Sequence, residues 1–471
     1  MRTIQGLAAI AACLCLSAPF TVADEYAVNP KITKIVDEVS EARIKATIEK
    51  LVSFGTRNTM SAQDDPEHGV GAARQWIFNE MKSYSPRLQV SFDKYRVKKQ
   101  GQRIFKDVDL WNVVAVLPGT KYPDVQVLVT GHYDSLNLGT RPPNGTLEAT
   151  AQMTVADFEK NANLPAPGAC DDGSGTAAVM ELARVMSQYE FDKTLVFVTF
   201  AGEEQGLVGS TLMSARAKKE KRVIEAVFNN DIIGTDTAGN GRFSNNSVEV
   251  YSDSSIDSPS QELSRYMHDV VQRYIPSMRV DTVFMQDRLG RGGDHTPFQL
   301  EGYAAVRIST PNEIYANQHH ATDLLENMSV PYTAKVAKVN AVAAATLALA
   351  PKAPEIMRVP PANAAARPGA PPRRPTPMIA RGSGYDAVLS WHPAGSEDNI
   401  KGYAIMVRST IAPYWEQQIY VGKVTTYTLK DVSIDDARFG VKAIGLDGSE
   451  SLVAVYDYPP RAKAVIETVE P

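Results

Sequence analysis

Short, nearly continuous apolar runs constrain this chain more than any other feature. VQVLVTG (residues 125–131), TLVFVTF (194–200), AVFNNDIIG (226–234), SVEVYS (247–252) and AAVRIST (304–310) have the length and β-branched content of strands. Segments with apolar residues at helical spacing lie around them. One runs over 42–54, with Ile44, Ile48, Leu51 and Val52 on one face. Others cover 71–84, 175–188, 259–274 and 330–350. Such alternation predicts an α/β fold, a mixed central sheet with helices on both faces.

The chain has 471 residues, enough for more than one domain. Residues 1–23 read as a secretory signal: Arg2, an apolar stretch at 6–16 too short to span a bilayer, and Ala23 before an acidic pair. The protein is therefore expected in the periplasm or outside the cell. Cleavage there removes Cys13 and Cys15 and leaves Cys170 without a disulfide partner. Residues 24–350 carry the α/β pattern, and no run within them reads as a membrane span. Residues 351–377 are rich in Pro, Ala and Arg and predict an extended, exposed linker. Residues 378–471 hold short alternating strands (AVLSWHP, GYAIMVRS, QQIYVGKV, TTYTLKDV, ARFGVKAIG) and predict a small all-β sandwich. LSW, IKGYAIMVR and FGVKAIGLDGSES give this part a resemblance to fibronectin type III modules, and it reads as a spacer or adhesion unit. The net charge of −5 argues against a nucleic-acid partner.

Carboxylates and histidines gather where the strands end. His132 and Asp134 close the first run and, two apart, share a face, so Asp134 is placed to hydrogen-bond the His132 ring. Asp171 and Asp172 precede a Gly-Ser-Gly turn and a helix; capping explains one of them, not the pair. Glu203 and Glu204 leave a strand side by side and point in opposite directions. Such a pair can divide two tasks, holding a metal and taking a proton from water. Asp231 falls in an apolar run and needs a partner there. In NQHHATD either His319 or His320 is a possible ligand; spacing alone does not choose. Nitrogen and carboxylate donors without a cysteine cluster suit catalytic Zn²⁺.

GHYDS, DDGSG, GEEQGLVGS, NND and HHATD, in this order, resemble the zinc aminopeptidase family that includes secreted bacterial leucyl aminopeptidases, glutamate carboxypeptidase II and glutaminyl cyclase. The likeness covers roughly residues 44–350 and implies the zinc exopeptidase fold with two Zn²⁺ ions. It makes His132, Asp171, Glu204, Asp231 and His319 metal ligands, with Asp171 shared by both ions. His319 is selected by counting back from Asp323 in an H-x-x-x-D motif. Asp134 supports His132, and Glu203 is the general base acting on water held between the ions. The bond from Asp171 to Asp172 is implied to be a cis peptide. GRGGDHTPF resembles a further family segment and puts Asp294 and His295 by the substrate pocket. The implied activity is removal of N-terminal residues from peptides. A carboxypeptidase or dipeptidase on the same scaffold would anchor a carboxylate through arginines such as Arg141, Arg288 or Arg291. Glutaminyl cyclase is a third relative, but does not keep the DDGSG form. Two departures stand out: Cys170 where Asp or Asn is frequent, and a long segment, 137–165, between the first two ligands.

Overall fold

The computed structural model describes residues 28–139, 153–359, 376–377, 379–381, 385–393, 395 and 397–457. The signal segment, Arg141 and most of the proline-rich stretch lie outside them.

Eight strands form one mixed sheet in the order β1-β2-β4-β3-β5-β8-β6-β7. They are β1 (Gln89–Val97), β2 (Val108–Leu117), β3 (Tyr122–His132), β4 (Lys193–Phe200), β5 (Val223–Asn230), β6 (Ser247–Tyr251), β7 (Arg279–Val283) and β8 (Ala305–Ser309). Strands β4, β3, β5 and β8 are parallel neighbours at the centre, while β1, β2 and β6 join antiparallel. Both faces of the centre are buried, which is why these strands are continuously apolar. Val127, Val129, Leu195 and Phe197 face a core that also contains helices α1 (Pro30–Asp37), α2 (Glu41–Ser53) and α3 (Gly69–Tyr84). Leu128, Val196, Val198 and Phe200 face a second, smaller core on the opposite side.

The remaining helices are α4 (Val155–Asn161), α5 (Gly173–Met186), α6 (Val208–Lys219), α7 (Pro259–Tyr274), α8 (His295–Leu300) and α9 (Val330–Leu349). Helices α5, α7 and α9 line the larger core, whereas Met213 and Ala217 of α6 and Phe298 of α8 line the smaller. Helix α9 is buried nearly all round, as its Ala-rich, periodless composition requires. Among the described residues no helix is long and apolar enough to cross a membrane. Local signals set the starts: Ser258 accepts from Gln261 N at 3.1 Å and Pro259 opens α7, while Thr154 and Asp157 form a capping box on α4.

After α9 come two antiparallel sheets. One joins β12 (Ile379–Arg381), β13 (Ala387–His392) and β16 (Thr426–Leu429); the other joins β15 (Gln417–Gly422), β14 (Ile400–Ser409), β17 (Ala437–Gly445) and β18 (Ala454–Val455). Leu389, Trp391, Tyr403, Ile405 and Val441 of the two sheets share one core, the small sandwich expected.

Some expectations need correction. The stretch read as an exposed linker contributes strands at both ends: β9 (Glu355–Ile356) pairs with β13, and β10 (Arg358–Val359) with β11 (Thr376–Pro377). Two residues suffice to extend a sheet, too few to leave a periodic signal. Asp231 is not inside a strand. β5 ends at Asn230, and Ile232 turns left-handed at φ +59°.

Candidate metal centre

The central parallel strands end along one edge of the sheet, where open α/β sheets bind ligands. His132 closes β3 opposite Phe200, the last residue of β4. Thr130 pairs with Asn229, and the same register carries His132 level with Asp231. Glu203 and Glu204 follow directly after β4.

Two groups of three side chains result. One donor atom each from His132, Glu203 and Asp231 lies within 4.8 Å of the others, and the same holds for Asp171, Glu204 and His319. The adjacent glutamates thus go to different groups. Asp171 stands between the groups, with Oδ1 3.2 Å from His132 Nε2 and Oδ2 3.1 Å from His319 Nε2. His319 Nε2 is also 3.2 Å from Glu204 Oε1, and His132 Nε2 is 3.9 Å from Asp231 Oδ1.

The residues fit zinc. His132 Nε2 and Glu204 Oε1 are buried without a well-formed hydrogen bond, which a ligating atom would be before its ion arrives. The charges are unbalanced as well. Burial and the carboxylates of Asp231, Glu204 and Asp294 push the Glu203 carboxyl well above its usual range, against the opposing His132. Burial disfavours a charged His319 ring, yet Glu204 and Asp171 raise it to about 9. Burial likewise opposes charge on His132, and Glu203, Asp134, Asp171 and Asp231 overcome it. Carboxylates short of cations, with imidazoles among them, form a site for divalent metal.

The sequence profile of Peptidase family M28 matches residues 112–344. A probable zinc metalloprotease of Pyricularia oryzae is 37% identical over 450 residues, covering 88% of this chain and 82% of the relative. The chain is a zinc metallopeptidase of peptidase family M28. A probable zinc metalloprotease of Leptosphaeria maculans is 33% identical over 460 residues, covering 91% of this chain and 97% of its own length. Among solved structures, LapA of Legionella pneumophila shares the fold with a TM-score of 0.50 and 20% identity, over 69% of this chain and 78% of LapA.

In this M28 peptidase, residues outside the two groups of three hold the centre in shape. The Asp171–Asp172 peptide is cis. Asp323 Oδ1 accepts from Cys170 N at 2.9 Å and its Oδ2 from Asp171 N at 3.0 Å, so the aspartate that served for counting also fixes the backbone of the shared carboxylate. Gln318 Nε2 donates to Asp171 Oδ2 at 3.0 Å. Asp172 caps α5 through Gly175 N (2.9 Å), and accepts from His132 N (3.1 Å) and Ile232 N (3.2 Å). It thereby joins the ends of β3 and β5 to one helix. Glycine is required at 175, where a Cβ would sit 2.3 Å from Asp172 Oδ2.

Asp134 differs from expectation. The nearest Asp134 atom to His132 Nδ1 is the main-chain carbonyl at 3.0 Å, with Oδ1 farther off at 3.6 Å. The Asp134 carboxylate is occupied by Glu203 N (3.2 Å), Glu204 N (3.3 Å) and Thr59 Oγ1 (3.2 Å). It fixes the strand end that carries both glutamates. The backbone turn after His132 lets the nearer carbonyl take the ring proton.

Two buried arginines were not singled out by pattern. Arg57 donates to four main-chain carbonyls, among them Tyr133 O (2.7 Å) and Gly168 O (2.8 Å), beneath the site. Arg307 on β8 lies 2.9 Å from Asp231 Oδ1 and 2.6 Å from Asp287 Oδ2. A lone arginine in AAVRIST was the same signal as a lone aspartate in VFNND, and the two are partners. Asp294 is buried at the start of α8, and burial raises its carboxyl to about 7. His295 is also buried, with Nε2 2.7 Å from Gln286 O. Of the candidate carboxylate anchors, Arg288 is paired with Asp287 and Glu313, and Arg291 with Glu313. A narrow cleft with room for about 20 Å³ opens beside Asp171, lined by Cys170, Ile232, Thr235, Glu313 and Ile314.

Proposed function

We propose that the protein is an exported aminopeptidase acting through two zinc ions. His132 and Asp231 would hold one ion, Glu204 and His319 the other, and Asp171 both. The observation that carries this reading is the position of Asp171, one oxygen toward each imidazole, between groups that share the two glutamates. Zinc, when bound, supplies Lewis acidity toward the scissile carbonyl and toward water. Glu203 takes the water's proton and returns it to the leaving amine. Asp134 keeps Glu203 aimed through its main-chain N–H.

Charge favours the amino end of a peptide. Asp134, Asp171, Asp172, Glu203, Glu204, Asp231, Asp294 and Asp323 outnumber the two buried guanidiniums among them, Arg57 and Arg307. Of the candidate anchors among the described residues, Arg288 and Arg291 are already engaged by Glu313 and so are not free for a substrate carboxylate. A protonated α-amine suits what remains. Export rests on Arg2, the apolar stretch at 6–16 and Ala23. The test is hydrolysis of free-amine, amine-blocked and carboxyl-blocked peptides, with and without chelator. Cleavage confined to free amines and abolished by chelator is expected. Cleavage of amine-blocked peptides would refute the specificity, and chelator-resistant cleavage the metal.

A further inference from the structure

The C-terminal sandwich does not hang from the catalytic part as a spacer would. Its β14–β15 turn, residues 410–416, lies on α7 and the end of β7. The Tyr414 ring stacks on His268 with centroids 3.9 Å apart. Thr282 Oγ1 donates to Tyr414 Oη at 3.1 Å. Trp415 Nε1 donates to Glu262 Oε2 at 3.0 Å, and Arg265 Nε donates to Pro413 O at 2.7 Å.

These contacts end where a wall of the metal centre begins. Thr282 sits one residue before the end of β7, and the chain then runs through 284–294 to Asp294. The Arg265 guanidinium, held by the turn, lies 4.8 Å over the Phe284 ring. Two residues on, Gln286 O is bonded to His295. Asp287 next takes Arg307, which reaches Asp231. The segment has polar ties of its own, from Arg288 and Arg291 to Glu313 and from Arg307 Nη1 to Gly292 O at 2.7 Å, but little apolar burial: Leu289 is 92% and Met285 51% exposed. A loop with so little apolar burial needs its ends fixed to hold one conformation.

We propose that the C-terminal sandwich braces this wall, so that Tyr414 and Trp415 are positioning residues for substrate binding although they touch no reacting atom. This rests on the reading of the edge as the catalytic centre. Without the turn, the 284–294 segment would sample other conformations. The approach to Asp231 and Asp294 would loosen while His132 at the end of β3, Glu204 after β4 and Asp171 before α5 stayed in place.

The test compares full-length, zinc-loaded wild type with Tyr414→Ala and Trp415→Ala. In both variants amide hydrogen exchange over 284–294 should rise at least tenfold, with β3 and α5 unchanged and zinc content kept. KM for a free-amine peptide should rise several-fold with kcat within twofold. Tyr414→Phe keeps the stack on His268 and loses only the hydroxyl, so it should restore most of both. Exchange over 284–294 and KM equal to wild type in the alanine variants would overturn the brace. If those variants do not fold, Trp415→Phe, which loses the bond to Glu262, decides by the same two readouts at smaller amplitude. If no peptide is cleaved at all, exchange alone still decides the brace, separately from the peptidase assignment.

Discussion

Charge is buried in two regions of this peptidase, in opposite ways. At the junction of α7 with the sandwich, opposite signs are matched. Asp257 meets Arg265, Arg408 and Arg438; Glu262 meets Arg265; Glu450 meets Arg273 and Lys442. At the metal centre the carboxylates are in excess. The same quantity reports the difference: burial acts against Glu450, but Lys442 and Arg273 hold its carboxyl down at about 2, whereas burial leaves Asp294 and Asp323 near 7. Glu262 is the exception in the junction, where burial outweighs Arg265 and lifts it to about 7. A buried charge is costly unless partnered. Matched burial therefore marks a joint, and unmatched burial marks a place for a cation from outside.

The comparison can be broken most sharply at Glu203. Glu203→Gln should lower kcat by about 10³-fold or more, within the range for loss of a general base, with zinc content unchanged. Loss of zinc in that variant would make Glu203 a ligand instead. Chelation should come next. Removing a ligand present at a thousandfold over its Kd costs about 4 kcal/mol of stability, read as a lower denaturation midpoint. The junction, needing no ion, should keep its exchange protection.

Arg408→Met probes the matched side. It removes the nearest of three arginines that meet buried Asp257, leaving Arg265 at 3.5 Å and Arg438 at 3.4 Å, and should cost less than the roughly 3 kcal/mol of a fully broken buried pair. The Asp257→Asn, Arg408→Met double variant should cost less than the sum of the singles. Additive losses would show that the pair does not interact. The smallest effect should be one of pH. Glu450 is held below its ordinary value in the folded protein, so the native state binds fewer protons than the unfolded one in that window. Its stabilising contribution is complete above the ordinary carboxylate pKa and is lost as pH falls toward about 2. Glu450→Gln should flatten the stability–pH slope there; an unchanged slope would exclude this group as its source.

The legible parts of the fold were those with a two-sided core. β3, β4, β5 and β8 are apolar throughout because helices cover both faces, and α7 was readable from first residue to last. β1 (QVSFDKYRV) was not, since this edge strand alternates charged and apolar residues and exposes one face. β7 is short and lies at the other edge. At the site, carboxylates and histidines were visible as polar interruptions of apolar runs, and the structure brings them together. Of the partners that act through main-chain atoms, Asp172 was visible as a helix cap and Asp323 as the end of H-x-x-x-D, whereas Arg57 left no spacing signal. The charged face of α7 was equally hidden, because a face that meets solvent and one that meets a matched partner look alike in sequence.

Two zinc ions are proposed to fill the unmatched burial at the sheet edge. Calorimetric titration of chelated full-length protein with Zn²⁺ tests this most directly. Two ions per chain are predicted, with Asp231→Asn weakening one site and His319→Ala the other. Uptake of no zinc, or of two ions indifferent to both substitutions, would contradict it.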